Sequence, residues 1–371
     1  MSTVQGLRAG IIAGILIGMA LTAGRVSAQG NFTTERPTSI LIYPKVVNTT
    51  PDTIIQITNT SNSVTYAHCL YTDGRTVNGE PTWQVTDFEL VLTRQQPTHW
   101  SAAQGRPVDP RDGIGGLDPG LIPPVPPGFT GFLVCVETAV DGTPVSANSL
   151  KGEATIGDVT AVAGASNVSK YNAIGIPACV SAQGACGAAG VPNDGNNVLR
   201  LDGQEYAECP GGLYLNFTGE NAGDPAIDGA TNTPSSVSTN LALVPCGMDF
   251  ENLVPTDTTL TVLIRNEFEN NLSVGQVPMS CWFEDTLGGT SFGGAFSPLS
   301  VGSLGTTFGK AILRPFTGSS LPPAVGVANV LRTAGDGSSD TAAMNLQFCT
   351  EQSAPSSCVP FSSTIRLPSI K

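Results

Sequence analysis

The sequence predicts an all-β protein made of two antiparallel β-sandwich units in tandem, preceded by a signal peptide. Gly (43) and Pro (28) are abundant and only 13% of residues are charged, which favours short strands joined by turns over long helices. A stretch that begins at Asp52 recurs in similar form at Asp257. Each copy also carries a cysteine whose candidate partner lies at a similar distance along the chain. These observations together favour a duplicated β unit.

The predicted organisation has four parts. Residues 1–28 are a signal peptide, 29–160 the first unit, 161–238 a connecting region, and 239–371 the second unit. In the first part, Arg8 precedes an apolar run, and the small residues that end at Ala28 fit a cleavage site. The apolar run is shorter than the about 20 residues that span a bilayer, which argues against the alternative of a membrane anchor. We therefore expect export, with no membrane insertion after cleavage.

The repeat predicts pairs of half-buried strands. The first copy is "DTIIQITNTSNSVTYAHCLYTDG" from Asp52, and the second is "DTTLTVLIRNEFENNLSVGQVPMSCWFEDT" from Asp257. Apolar residues alternate with polar ones in both, as at Ile55 and Ile57, and this period of two is typical of strands. An Asn-rich turn and a strand with a cysteine follow in each copy.

The nine cysteines all lie in the exported part, where disulfides form and persist. The matching separations predict Cys69–Cys135 in the first unit and Cys281–Cys349 in the second. Weaker choices are Cys179–Cys186 and Cys209–Cys246, which would leave Cys358 free. The main alternative is a Cys349–Cys358 bridge. Zinc is disfavoured, because the chain has no C-x-x-C pair and only two histidines.

Strands bridged by cysteines far apart in sequence, with aromatic residues nearby, follow the logic of an immunoglobulin-like sandwich. The two units are therefore predicted to be immunoglobulin-like. Trp282 departs from that pattern, because it follows Cys281 directly and would point to the opposite face of the strand. The chain from about residue 140 to 238, which includes the connecting region, contains four strand-like stretches that are expected to complete the sheets in part: they begin at Lys151, Lys170, Asn197 and Gly211.

Few residues are candidates for a binding site. His99 and Trp100 form a neighbouring pair that could line a sugar-binding face, with packing in a core or a loop as the alternative. Their Gln/Pro-rich surroundings predict a loop in which both could be replaced with little effect on folding. His68 is expected to face away from Cys69, toward solvent or a neighbouring sheet edge. The loop from Asp109 to Asp118 has carboxylates that could hold calcium, but it lacks the residue order of an EF-hand. No cofactor, metal site or catalytic residue is predicted.

The net charge of −13 excludes nucleic acid as a favoured partner. The signal peptide, "TRQQPTHWSAAQGRPVDP" and "PPVPPGFTG" resemble exported proteins of Gram-negative bacteria with duplicated β-sandwich units, and the resemblance implies export but no particular activity. We expect a secreted, periplasmic or cell-surface protein without catalytic activity, with a structural or adhesive role toward other surface proteins or glycans. The alternatives are a carbohydrate-binding module and a carboxylate-dependent extracytoplasmic hydrolase.

Overall fold

The computed structural model describes residues 32–78, 80–107, 120–157, 167–180, 186, 190–223, 235–316, 321–349 and 359–369. The predicted signal peptide, the candidate calcium loop from Asp109 to Asp118, and Cys358 lie outside the described residues. Almost all regular structure is strand, as predicted.

Eleven strands precede residue 180: β1 Ile40–Val47, β2 Asp52–Asn59, β3 Thr65–Asp73, β4 Thr76–Val77, β5 Glu80–Pro81, β6 Val85–Leu92, β7 Pro97–Ser101, β8 Thr130–Thr138, β9 Leu150–Gly157, β10 Val168–Asn172 and β11 Ile174–Ile176. The later strands are β12 Val198–Leu201, β13 Leu213–Thr218, β14 Ser235–Pro245, β15 Met248–Asp249, β16 Asp257–Asn266, β17 Asn271–Ser280, β18 Phe283–Thr286, β19 Phe308–Pro315, β20 Ala324–Ala334, β21 Ser339–Asn345, β22 Gln347–Phe348 and β23 Ser363–Arg366. The helical segments are the short helix α1 Val301–Leu304 and the 3₁₀ turns Thr290–Phe292 and Gly294–Phe296.

The described strands form five sheets of three to five strands and a two-stranded ribbon, β4–β5. The strand orders are β11-β1-β8-β3-β6, β10-β9-β2-β7, β12-β23-β15, β17-β16-β19-β13-β22 and β18-β14-β20-β21. This is a five-bladed β-propeller arrangement, and the prediction of two tandem immunoglobulin-like sandwich units is wrong. The all-β class is confirmed.

The physical reason for this correction is that the sheets and cores use strands from distant parts of the chain. The three-stranded sheet takes one strand from near residue 200, one from near 248 and one from near 365. A buried apolar cluster joins Ile40 and Val134 to Leu199, Val244 and Ile365. The repeat predicted two self-contained cores, whereas one apolar face of the first sheet is covered by later parts of the chain.

Local strand predictions were more accurate than their assembly. All four strand-like stretches of the connecting region contain strands, namely β9, β10 with β11, β12 and β13. The alternation in the second repeat also appears as alternating burial along β16, where Leu260, Val262 and Ile264 are buried. Period-two patterns therefore located strands correctly, because they reflect which face of a strand is covered.

Candidate functional site

Three of the predicted disulfides are present. Cys69 on β3 lies directly opposite Cys135 on β8, and the two are bridged. Bridges also join Cys179 to Cys186 and Cys209 to Cys246. These bonds indicate an oxidising, extracytoplasmic environment. No helix in the described part of the chain is long and apolar enough to span a membrane.

The predicted Cys281–Cys349 bridge is wrong. Cys281 is a free thiol with 1% of its surface exposed, and Cys349 is disulfide-bonded to another residue. Cys281 lies between β17 and β18 at a φ of 67°, unlike Cys69, which lies within a strand. Because its backbone is left-handed, its side chain does not follow the strand geometry that the repeat suggested. Burial raises the pKa of this thiol well above its usual range.

The loop predicted around His99 and Trp100 is also wrong, because both residues lie in strand β7. Trp100 is 3% exposed and its indole N–H donates to the Tyr71 hydroxyl at 2.6 Å. The ring of Phe88 meets it edge to face at 5.9 Å. His99 is exposed, and the two side chains point to opposite faces of the strand, so they do not form a joint surface.

The second histidine has a local partner on the neighbouring strand. His68 Nε2 lies 3.4 Å from Asp87 Oδ2, and the imidazole is almost fully buried, so the expected placement toward solvent or a sheet edge is only partly right. The described residues contain no group of three or more His, Cys, Asp or Glu side chains able to hold a metal ion.

A cleft of about 720 Å³ lies between the sheet that contains β9 and β10 and the sheet that contains β14 and β20. Both halves of the chain line it. The polar lining consists of Thr49, Thr50, Thr130, Asn167, Ser169, Ser238, Asn240, Thr286, Asn329 and Thr341, with Lys45 and Glu284 as its charged residues. Apolar contributions come from Val47, Pro51, Ile156, Val330 and Leu331. Residues with amide or hydroxyl side chains are therefore the most numerous in this lining, although more of its exposed area is apolar.

Strand pairing explains why several of these polar groups share one face. On β14, Asn240 lies opposite Thr286 of β18 on one side and Asn329 of β20 on the other. Directly opposite residues in a sheet project to the same face, so the three side chains form a row. Glu284 lies two residues from Thr286 and projects to that face as well. The next residue of β14, Leu241, points into the opposite apolar core.

The charged residues of the cleft are paired with each other. Lys45 Nζ lies 2.7 Å from Glu284 Oε1 and 2.7 Å from Asn240 Oδ1. The Thr130 hydroxyl donates to Glu284 Oε2 at 3.3 Å. This cluster joins the first half of the chain, through β1 and β8, to β14 and β18 of the second half. The floor of the cleft is consequently neutral overall.

A shielded amide on the cleft wall has unused hydrogen-bonding capacity. Asn329 Oδ1 accepts from the Ser169 hydroxyl at 3.4 Å, whereas Asn329 Nδ2 is shielded from solvent and has no partner among the described residues. A shielded donor without an acceptor is costly. A ligand in the cleft could bond to this donor only after the Asn329 side chain rotates to expose it.

None of the cleft residues was predicted as a site from the sequence. The available signal was the alternation of Ser238 and Asn240 with buried neighbours, which marks a polar face on a strand that is otherwise apolar. That signal does not identify the facing surface, which comes from strands β1 and β10.

No protein-family model matches this chain, and no curated protein matches it. Among solved structures, the crystal structure of a mutant of CfaE, the CFA/I enterotoxigenic E. coli adhesin, is similar at 8% sequence identity with a TM-score of 0.15. The match covers 84% of this chain and 80% of that chain. A likeness of this degree carries no argument about fold or function.

Proposed function

We propose that this protein is an exported structural or adhesive interaction protein without catalytic activity, secreted or retained in the periplasm or at the cell surface. The observation that carries the proposal is the cleft to which both halves of the chain contribute. Its lining is rich in amides and hydroxyls, and its two charged groups, Lys45 and Glu284, neutralise each other. Such a surface can orient a partner by hydrogen bonds.

The buried carboxylates of the described chain have structural partners. Glu220 accepts from the Ser238 hydroxyl at 2.6 Å and from the Thr239 N–H at 3.0 Å. Glu205 accepts from Arg200 Nη1 at 3.0 Å. Carboxylates held in this way maintain loops and strand ends, and they do not favour the carboxylate-dependent hydrolase over a binding role.

Site-specific photo-cross-linking in the producing cell tests the interaction. A photoreactive amino acid would replace Leu331, which lies at the cleft with 40% of its surface exposed. The matched control replaces Phe296, which is 87% exposed and does not line the cleft. We expect a discrete cross-linked product, identified by mass spectrometry, from position 331 and none from position 296. Equal products from both positions, or none from either, would contradict the proposal.

A second candidate is carbohydrate binding, which the amide and hydroxyl lining specifically favours. Asn329, Asn240 and Ser169 line the cleft and carry groups that can bond to sugar hydroxyls, and the pairing of Lys45 with Glu284 favours neutral glycans over acidic ones. A glycan array with neutral and acidic members separates this ligand from a protein partner.

Two variants test whether the cleft binds a glycan. Asn329→Ala should weaken binding to a neutral glycan about tenfold, the effect of one lost hydrogen bond of about 1.4 kcal/mol. Asn270→Ala, at an exposed position outside the cleft, is the control and should bind as the unmodified protein does. Equal loss of binding in both variants, or no binding on the array, would exclude a glycan ligand and favour a protein partner.

A further inference from the structure

The cluster of Lys45, Asn240 and Glu284 brings together an amine, a primary amide and a carboxylate. Lys45 Nζ contacts both the amide oxygen of Asn240 and a carboxylate oxygen of Glu284 at 2.7 Å. We propose that this is a covalent modification site, at which Lys45 and Asn240 form an intramolecular isopeptide bond with Glu284 as the proton-transfer group. The proposal does not depend on the proposed binding function. The bond removes the positive charge that pairs with Glu284, so the cleft then carries one negative charge, which also favours neutral glycans over acidic ones.

The geometry brings the reacting atoms close together. Because the amide C=O bond is about 1.23 Å long, an Nζ–Oδ1 distance of 2.7 Å places Nζ no more than about 3.9 Å from the amide carbon. Near-attack contacts are about 3–3.5 Å, so a small rotation of either side chain reaches them. The partially buried setting limits competition from water, with 12% of the Lys45 side chain and 23% of the Glu284 side chain exposed.

The backbone on both sides of the cluster is fixed. Lys45 lies where the register between β1 and β8 shifts, and its N–H and C=O are both hydrogen-bonded to the Tyr171 hydroxyl. The carbonyl of the preceding Pro44 accepts from the Trp282 indole at 2.9 Å. Asn240 is paired on both sides within its sheet. Two rigid elements therefore hold the amine against the amide, which is the condition for an efficient intramolecular reaction.

The chemistry balances without an oxidant or cofactor. Glu284 accepts a proton from the Lys45 ammonium, and the resulting amine attacks the Asn240 amide carbon. The tetrahedral adduct collapses as its C–N bond to the original amide nitrogen breaks, while Glu284 gives its proton to that nitrogen and then transfers a second proton to it from the former Lys45 nitrogen. One hydrogen remains on the new amide nitrogen, ammonium leaves, and Glu284 ends as a carboxylate. The Thr130 hydroxyl, which donates to Glu284 Oε2, holds the carboxylate in place.

Intact mass spectrometry of the mature exported chain tests the proposal, with the protein denatured and its disulfides reduced. We expect a mass lower than that of the reduced sequence by one ammonia molecule, counted in addition to the ammonia that is lost if an N-terminal Gln29 cyclises. A protease digest should yield a branched peptide that joins the Lys45 segment to the Asn240 segment, with no tryptic cleavage after Lys45. The full sequence mass would overturn the proposal, and a deficit of one water would overturn the assignment to Asn240 by placing the bond on a carboxyl group.

Three variants define the roles. Lys45→Arg keeps the charge opposite Glu284 but has no reactive amine, Asn240→Ala lacks the amide, and Glu284→Gln lacks the proton acceptor. Each should show the full sequence mass. The matched control is Lys170→Arg, since Lys170 also lies 2.7 Å from a glutamate, Glu153, and should retain the ammonia deficit when changed. A deficit that persists in Lys45→Arg would overturn the proposal even if another variant failed to fold.

Discussion

At the residue scale, Glu137 shows how burial couples one side chain to pH. It is 1% exposed on β8 and accepts from the Ser149 N–H at 3.2 Å. Burial is the largest influence and raises the pKa of Glu137 from 4.5 to about 6, although hydrogen bonds from Ser149, Ser39 and Asn148 act in the opposite direction. The folded state therefore binds this proton more tightly than the unfolded state does.

This difference predicts a specific loss of stability with rising pH. Protonated Glu137 contributes about 2 kcal/mol to the free energy of unfolding. This contribution is complete below pH 4.5 and is lost as the pH rises through about 6. Glu137→Gln should remove that component, so its free energy of unfolding should fall less across this range. Denaturant titrations below pH 4.5 and above pH 6 measure the effect, with exposed Glu89→Gln as the control. Parallel profiles for Glu137→Gln and the unmodified protein would contradict the prediction.

The buried Cys281 thiol gives a second prediction at this scale. Its 1% exposure and raised pKa should make it unreactive in the folded protein, because the thiolate is the nucleophile and is disfavoured by burial. Iodoacetamide without reductant should add nothing under native conditions and should modify Cys281 in denaturant. Peptide mapping identifies the site, and native modification of Cys281 would show that it is accessible.

At the element scale, strand β7 depends on the hydrogen bond between Trp100 and Tyr71. Trp100→Phe would leave the Tyr71 hydroxyl buried without a partner, and we expect a loss of about 1–3 kcal/mol in the free energy of unfolding. His99→Ala, on the exposed face of the same strand, should change stability by less than about 0.5 kcal/mol.

A double-mutant cycle separates the hydrogen bond from packing. Adding Tyr71→Phe to Trp100→Phe removes both polar partners, so the combined loss should be smaller than the sum of the two single losses. Additive losses would mean that the hydrogen bond contributes nothing and that packing with Phe88 accounts for the effect.

The individual strands could be predicted from the sequence, but their assembly could not. Alternating burial is a local property, so β2 and β16 were predicted correctly from their apolar periods. Cys69 and Cys135 lie in strands that are buried on both faces, and their pairing was predicted from their separation along the chain. Sequence periodicity does not reveal the left-handed backbone at Cys281. It also does not reveal which strands pair when they lie far apart in the chain. The cleft was missed for that reason, since its walls come from strands that pattern alone cannot bring together.

At the scale of the whole molecule, the shared cores predict one unfolding transition. Val244 and Ile365 cover the face of the first sheet that carries Ile40 and Val134, so neither half buries its apolar surface alone. Differential scanning calorimetry of the mature chain should show a single cooperative transition, and a fragment of residues 32–157 should show none. Two well-separated transitions in the full chain would contradict this prediction.

The position of β23 also determines when the molecule can finish folding. This strand lies between β12 and β15 and is the only neighbour of either in the described sheet, antiparallel to one and parallel to the other. A polypeptide is synthesised from its N-terminus. When β15 has been made, about a third of the chain must still be synthesised before β23, which carries Ile365, can pair with β12 and β15. Until then Leu199 and Met248 lack their cover, and a ribosome that stalls before residue 363 releases a product with two unpaired strands and exposed apolar side chains. Such products are natural substrates for quality-control proteases, so the fold itself distinguishes complete chains from interrupted ones.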